Sequence, residues 1–377
     1  MEYIKLCEVI SSAKTERCGA SDYPVLSITK SDGVVLQSDK FKKRIASTDT
    51  EQYKLVKRGQ LVQGIHIDEA NFGIQSIVDI GIVSPAYKIW NVNFQKIVPK
   101  YLETVLRSPR SVRYYSLKFN GSVKRRERIT DSDFLAMEIP FPSKEQQQYA
   151  VDVLEKACSM TTLYQQQLQK LDELVKARFV ELFGTISEEV PLSYYIAGLN
   201  AGKSLAGEEE NPNKVLKTGA VSYDYFDAIQ IKNLPIDYEP QESHRVKTGD
   251  VIISRMNTAE LVGATAYVWS VPEHIYLPDR LWRADVKDTA NPIFVWQLLI
   301  QGSTKKNIRR MASGTSGSMK NISKSGLLEI NVVKAPINLQ DQFAAFVTQT
   351  DKSKVVVQKA LDEAQLLFDS LMQKYFG

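Results

Sequence analysis

Apolar residues recur at steps of three and four between Glu145 and Gly184: Val153, Ala157, Met160, Tyr164, Leu168, Leu171, Val175 and Leu182. Half of the remaining positions are Gln, Glu, Lys or Asp, and no proline or glycine interrupts the stretch before Gly184. Good helix formers dominate, so the spacing predicts one long amphipathic helix closed by Gly184 at its C-terminus. A rise of ~1.5 Å per residue makes it roughly 55 Å long, and its narrow apolar stripe calls for a partner helix. Residues 339–377 repeat the pattern. Gln146-Gln147-Gln148-Tyr149-Ala150 can be laid on Gln340-Asp341-Gln342-Phe343-Ala344, and Pro142 on Pro336. Further on, Leu168, Leu174, Phe183 and Gly184 fall on Leu361, Leu367, Phe376 and Gly377, which requires a slip of one residue in between. The chain is therefore expected to be an internal repeat of about half its length, with the two helices paired.

Between the helices the period changes. Short β-branched runs (Val25–Ile28, Gly33–Leu36, Lys54–Val56, Leu61–Val62, Gly73–Val78) are punctuated by Asp32-Gly33, Arg58-Gly59 and Ile80-Gly81. They predict a mixed domain rich in short strands, followed by helix from Tyr101 that Pro109 interrupts. The second block repeats this plan. Val246–Ile252 echoes Val56–Val62, Phe294–Leu299 echoes Tyr101–Leu106, and Gly317–Lys320 echoes Gly121–Lys124. The middles of the blocks do not match. The expected fold class is α+β, with domains at 1–141 and 185–336 and helices at 142–184 and 337–377.

The chain has 377 residues, 43% of them hydrophobic, which is enough for two cores. The net charge of +4 says little by itself. Cys7, Cys18 and Cys158 form neither a disulfide framework nor a metal-ligand spacing, and Cys158 is read as a small buried residue of the helix. No apolar run approaches membrane-spanning length, and the first ten residues lack a signal-peptide layout, so a cytoplasmic protein is expected.

The positive charge is local. Lys100 to Arg128 carries Arg107, Arg110, Arg113, Lys118, Lys124, Arg125, Arg126 and Arg128 against only Glu103 and Glu127. The matching stretch of the second half carries Lys305, Lys306, Arg309, Arg310, Lys320 and Lys324, with no acidic residue from Gln301 to Lys324. Each cluster flanks a Gly-Ser loop, including Ser318, that can bring backbone N–H groups to a phosphate. Basic loops at matching points of a duplication suggest two contacts on one polyanion, DNA; a solvated basic surface is the competing reading. Candidates for reading base edges are Lys30, Ser31, Lys40, Lys42, Lys43 and Arg44 in the first block, and Arg255, Asn257 and Thr258 in the second. Taken singly, each of these is read first as a phosphate or structural contact and only second as a base reader.

Other motifs carry less. Gly198 to Ser204 (GLNAGKS) is one residue short of a phosphate-binding loop and leads into no good helix start. His66, His244 and His274 lie far apart, without metal-ligand spacing. Neither a methyl-donor glycine signature nor a nuclease carboxylate pair is present, so no catalytic residue or metal ligand is nominated.

The stretches YPVLSITKSDGVVLQSDKFKKRIAS and GIQSIVDIGIVSPAY, followed by VKTGDVIISRMNTAELVGATAYV and GTSGSMKNIS, resemble the DNA-specificity subunits of type I restriction–modification systems. The resemblance covers nearly the whole length. It implies two target-recognition domains separated by an antiparallel helix pair, with pseudo-two-fold symmetry. Each domain then reads half of a bipartite double-stranded DNA site, and the helices set the unread gap. It also implies a non-catalytic chain docking two methyltransferase subunits, with restriction subunits added in some complexes. S-adenosylmethionine and ATP are expected on those partners and no cofactor on this chain. A DNA-binding regulator or scaffold is the alternative.

Overall fold

A computed structural model of the chain describes residues 2–30, 32–40, 50–118, 129–314 and 319–377. The chain folds as two units, Met1–Gln166 with Gln358–Gly377, and Gln167–Val357.

The first unit begins with β1 (Tyr3–Lys5), β2 (Ile10–Ser12), β3 (Leu26–Thr29), β4 (Gly33–Leu36) and a single helical turn, α1 (Gln37–Lys40). Next come β5 (Lys54–Lys57), β6 (Leu61–Gln63), β7 (Phe72–Ile74), β8 (Ile80–Val83) and β9 (Lys88–Val92). Helices α2 (Pro99–Arg107), α3 (Pro109–Lys118) and α4 (Asp131–Leu135) follow, then β10 (Glu138–Pro140) and the long α5 (Lys144–Phe183). Strands pair in the order β2-β9-β6-β7, with β1 on β10, β3 on β4 and β5 on β8. Trp90, Phe72, Phe134 and Tyr115 fill the core between sheet and helices. Pro109 opens α3 rather than merely interrupting a helix, as its fixed φ favours.

The second unit repeats this order. It runs β11 (Glu189–Pro191), β12 (Ile196–Asn200), β13 (Lys214–Leu216), β14 (Ile231–Asn233), β15 (Val251–Ser254), β16 (Met256–Asn257), β17 (Thr265–Tyr267), β18 (Ile275–Tyr276) and β19 (Leu281–Val286). Helices α6 (Pro292–Ile300) and α7 (Gly302–Met311) lead to β20 (Lys320–Asn321), α8 (Lys324–Leu328), β21 (Asn331–Val333) and α9 (Ile337–Phe376). The sheet order β12-β19-β15-β17 and the β11–β21 pair match β2-β9-β6-β7 and β1–β10. The middle differs: β14-β13-β18 forms a sheet of its own, with a parallel β13–β18 pair.

The helices pair antiparallel. In the first unit Ala150, Val151 and Leu154 of α5 share a core with Phe376 and Leu371 of α9. In the second, Val175, Phe179 and Phe183 of α5 share one with Phe343 and Val347 of α9. The seam of α5 is a strict four–three alternation of buried or half-buried positions: Ala150, Leu154, Ala157, Thr161, Tyr164, Leu168, Leu171, Val175, Arg178 and Leu182. That is a coiled-coil repeat. It corrects the expected face at two places. Leu154 and Thr161 take the seam, while Val153 moves to its edge and Met160 is exposed, because position along the heptad outranks side-chain type. Cys158, expected to be buried, lies one step off the seam and is exposed.

From α2 and α6 onward the repeat has no slip. An offset of 193 carries Lys144 to Ile337 and Phe183 to Phe376. It also carries the N-cap Thr130, which accepts from the Asp133 N–H, to the N-cap Ser323, which accepts from the Gly326 N–H. The decisive pair is glutamine. Gln147 accepts from the Val98 N–H (2.9 Å) and donates to the Pro142 carbonyl (2.9 Å). Gln340 accepts from the Asn291 N–H (3.0 Å) and donates to the Ala335 carbonyl (2.8 Å). Gln147, not Gln146, is therefore the counterpart of Gln340, and Pro142 aligns with Ala335 rather than Pro336.

Candidate nucleic-acid interface

In the second unit the structure joins two segments that the sequence keeps far apart. After Ser254 the chain leaves the main sheet; the Arg255 N–H donates to the Arg280 carbonyl, and β16 pairs antiparallel with β20. Asn257 thereby stands opposite Lys320. The Asn257 amide nitrogen reaches Ser222 Oγ and Ser254 Oγ at 3.4 Å, and its oxygen accepts from the Thr258 N–H at 2.9 Å. Lys320 Nζ donates to the Gly314 carbonyl at 2.7 Å. The Arg255 guanidinium stacks 5.6 Å from the Trp282 ring centroid, and its Nε has no acceptor among the described groups. An arginine held by an aromatic face keeps most of its donors for a ligand.

Helix α7 sorts its cations by face. Thr304 and Ile308 pack inward, and Lys305 goes with them to form an ion pair with Asp224. Arg309 turns back to the Glu260 carbonyl. Only Lys306 and Arg310 are left exposed without an internal partner among the described groups. Cations in the last turn also suit the helix dipole, which is reason enough for Arg309 to be there without a ligand. Lys324 donates to the Leu199 carbonyl at 2.6 Å. Ser318 lies outside the described residues.

The first unit shows the same division. Arg110 donates to the Tyr3 hydroxyl (2.7 Å), lies 4.5 Å from that ring's centroid and reaches the Gly377 carbonyl oxygen at 3.5 Å. It remains exposed there. Arg107 donates to the Phe72 carbonyl. Lys118 stands 3.8 Å from Asp133, while Arg113 is exposed. Lys30 is exposed at the β3–β4 turn, beside the ion pair of Lys40 with Asp32 at 2.7 Å. Ser31, Lys42, Lys43, Arg44, Lys124, Arg125 and Arg126 lie outside the described residues.

The imperfect phosphate-loop motif resolves into a strand end. Gly198 to Asn200 belong to β12, no helix follows in 201–213, and the Gly202 N–H is spent on the Pro278 carbonyl at 3.1 Å. Among the described residues no group of three His, Cys, Asp or Glu side chains is placed to hold a metal ion, and no helix is long and apolar enough to cross a membrane.

Sequence reading missed the role of the turn at 222–225, which Asp224 and Ser222 tie to Lys305 and Asn257. The groups that give these residues a purpose are remote in sequence, so only an aromatic-acidic alternation (YDY) was there to be seen.

No protein-family model matches the chain. A 151-residue stretch is 27% identical to the specificity subunit of the Escherichia coli type I restriction enzyme EcoEI, covering 38% of this chain and 25% of that protein. The chain thus spans about a quarter of the length of this curated relative. Among solved structures, the type I restriction–modification S subunit from M. genitalium superposes with a TM-score of 0.60 at 15% identity, covering 100% of this chain and 96% of that one. The fold matches that of a type I specificity subunit. A chain from a structure of a type I system, described for its complex assembly and conformational transition, gives a TM-score of 0.58 at 17% identity, covering 100% and 97%. The antiparallel helix pair and the two mixed domains expected from the sequence are thereby borne out as a fold.

Proposed function

We propose that this chain is the DNA-specificity subunit of a type I restriction–modification complex, recognising a bipartite double-stranded target and catalysing nothing itself. One observation carries the reading. A single scaffold occurs twice, at an offset of 193 from α2 to the end of the long helix, with paired helices, while the middles of the two domains differ. Two copies of one frame with different inserts suit a molecule that reads two different half-sites. The fold likeness and the matching stretch of the EcoEI subunit support it. The functional layout is then recognition domains at 1–141 and 185–336, with spacer helices at 142–184 and 337–377.

In this reading Asn257, Arg255 and Lys320 face the bases or their flanking phosphates. Lys306 and Arg310, and Arg113 and Lys30 in the other domain, neutralise phosphates. The exposed faces of α5 and α9 dock two methyltransferase subunits, which carry S-adenosylmethionine and flip the target adenine. Restriction subunits, where present, bring ATP-driven steps. The site of action is the cytoplasm.

Equilibrium binding of the full chain to labelled duplexes tests this. A preferred duplex selected from a random library is expected to bind at least about a thousandfold more tightly than random duplex. Lys306→Ala and Arg310→Ala should weaken both, each lowering the salt slope by about one. Lys305→Ala should chiefly lower the melting temperature. Equal affinity for all duplexes overturns the proposal. Adenine methylation by co-expressed methyltransferase that proceeds unchanged without this chain would place it among regulators instead.

A further inference from the structure

Tyr223 and Tyr225 are 71% and 56% exposed, with ring centroids 6.4 Å apart and planes within 17°. A scattered surface tyrosine needs no explanation, but this pair stands on a turn held from several directions. Ala220 and Val221 just before it are fully buried. The residue between the rings, Asp224, has a left-handed backbone (φ 65°), which aspartate tolerates better than most residues. Its carboxylate accepts from the Thr265 N–H at 3.1 Å and pairs with Lys305, and its carbonyl accepts from the Trp296 indole at 3.3 Å. The Asp227 N–H closes the turn on the Ala220 carbonyl at 2.9 Å. One buried anchor thus holds the backbone that presents both rings to solvent.

The neighbourhood identifies what they meet. Ser222, next to the first ring, lies within 3.4 Å of the Asn257 amide, on the strand opposite Lys320. Asp224 is neutralised by Lys305, and the α7 segment that supplies Lys305 also exposes Lys306 and Arg310 with no acidic residue from Gln301 to Lys324. Such surroundings favour a polyanion. A tyrosine offers it a flat apolar face for sugars and thymine methyls and a hydroxyl for a base edge or phosphate, with only two side-chain torsions to order. With the backbone of the turn held beforehand, only those torsions are left to order on binding.

We propose that Tyr223 and Tyr225 are specificity-determining contacts that enter a groove of duplex DNA beside the Asn257–Lys320 strand pair and set the bases read by the second domain. This rests on the DNA-recognition function proposed above.

The test selects duplexes from a randomised library with the full wild-type chain and with the Tyr223→Ala/Tyr225→Ala double variant, and sequences the bound pools. Expected is relaxed base preference in one half of the target and an unchanged other half. The ratio of preferred to random affinity should fall about tenfold or more, as for loss of one or two base contacts, with random-duplex affinity moving less than about twofold. Removing exposed rings should leave the melting temperature unchanged. Asp224→Ala keeps the rings but frees the turn; it is expected to relax the same positions while lowering the melting temperature. Identical base preferences in variant and wild type overturn the inference, as does an equal loss on preferred and random duplexes. If wild type itself enriches no sequence, DNA recognition fails first and takes this inference with it.

Discussion

The two halves differ least where a backbone group has to be satisfied. Gln147 and Gln340 cap the entrances of α2 and α6 in the same way. Gly59 and Gly249 take the same left-handed turn, at φ 87° and 95°. At the corresponding tight turn the Lys57 N–H donates to Gln60 and the Lys247 N–H to Asp250, both at 2.8 Å. One residue inward the halves part. The Trp90 indole, opposite Leu61, donates to Gln63 at 2.9 Å, whereas in the second half Ile253 takes the glutamine's place and Ala284, opposite Val251, stands where the tryptophan was. Beyond that layer the strands of the middle have different partners altogether. The duplication thus holds its geometry through a few polar groups that the backbone demands, and side chains diverge once that demand is met.

The largest expected effect breaks the equivalence of Phe183 and Phe376. Both are almost fully buried, but Phe183 lies among Phe179, Phe294 and Phe343 at 4.9–5.6 Å, whereas Phe376 has Tyr101 at 5.1 Å and Tyr375 at 6.4 Å. Phe183→Ala should cost roughly 3–5 kcal/mol of unfolding free energy, with Phe376→Ala below that range because fewer rings lose contact with the side chain removed. Urea unfolding followed by tyrosine and tryptophan fluorescence measures both. Equal costs would show that the last turn of α9 is as tightly held as that of α5.

A smaller effect separates the two glutamines. Gln147→Ala strands the Val98 N–H and the Pro142 carbonyl, and Gln340→Ala the Asn291 N–H and the Ala335 carbonyl, at about 1–3 kcal/mol each. The losses should not be equal. At α6 the Asn291 side chain also accepts from the Ile293 N–H and donates to Asp341, whereas Val98 provides no side-chain cap for α2. Gln147→Ala is therefore expected to lower the melting temperature more than Gln340→Ala. The reverse order would mean that the asparagine cap adds nothing.

These contrasts also mark how far the sequence could be read. The helices and their partnership follow from the three–four spacing alone, and the β-branched runs fall on strands β3 to β7. Register was the weak point. Pro142 and Pro336 attract each other in an alignment, but the glutamine one turn inside each helix is what the packing repeats. The basic residues were legible as a type and not as individuals. Lys305 is drawn inward by Asp224, and Arg110 is tied to Tyr3 at the surface, which no local pattern announces. The Tyr223–Tyr225 turn was invisible for the same reason, since Thr265, Trp296 and Lys305 lie 41, 72 and 81 residues away.

The smallest and sharpest contrast is between Gln60 and Asp250, an amide and a carboxylate doing the same job. Burial pushes the Asp250 carboxyl above its ordinary range, opposed by the Lys247 N–H bond and by Arg283, 3.8 Å away. The folded state therefore holds the Asp250 proton more tightly than the unfolded chain does. Its contribution to stability is fully present below the unfolded value, about 3.9, and is lost as pH rises through the higher folded one. Gln60 has no such dependence. Asp250→Asn makes the second turn resemble the first: the Lys247 N–H keeps an acceptor, and Arg283 retains the Arg245 and Ser243 carbonyls. At neutral pH the melting temperatures of wild type and variant should lie within a few degrees. On acidification towards pH 4 the comparison should shift in favour of the wild type, because only its side chain takes up a proton preferentially when folded. A Gln60→Asn variant, carried through the same series, should keep a constant difference from wild type. A constant difference for Asp250→Asn as well would mean that the carboxylate is solvated as freely in the folded chain as in the unfolded one.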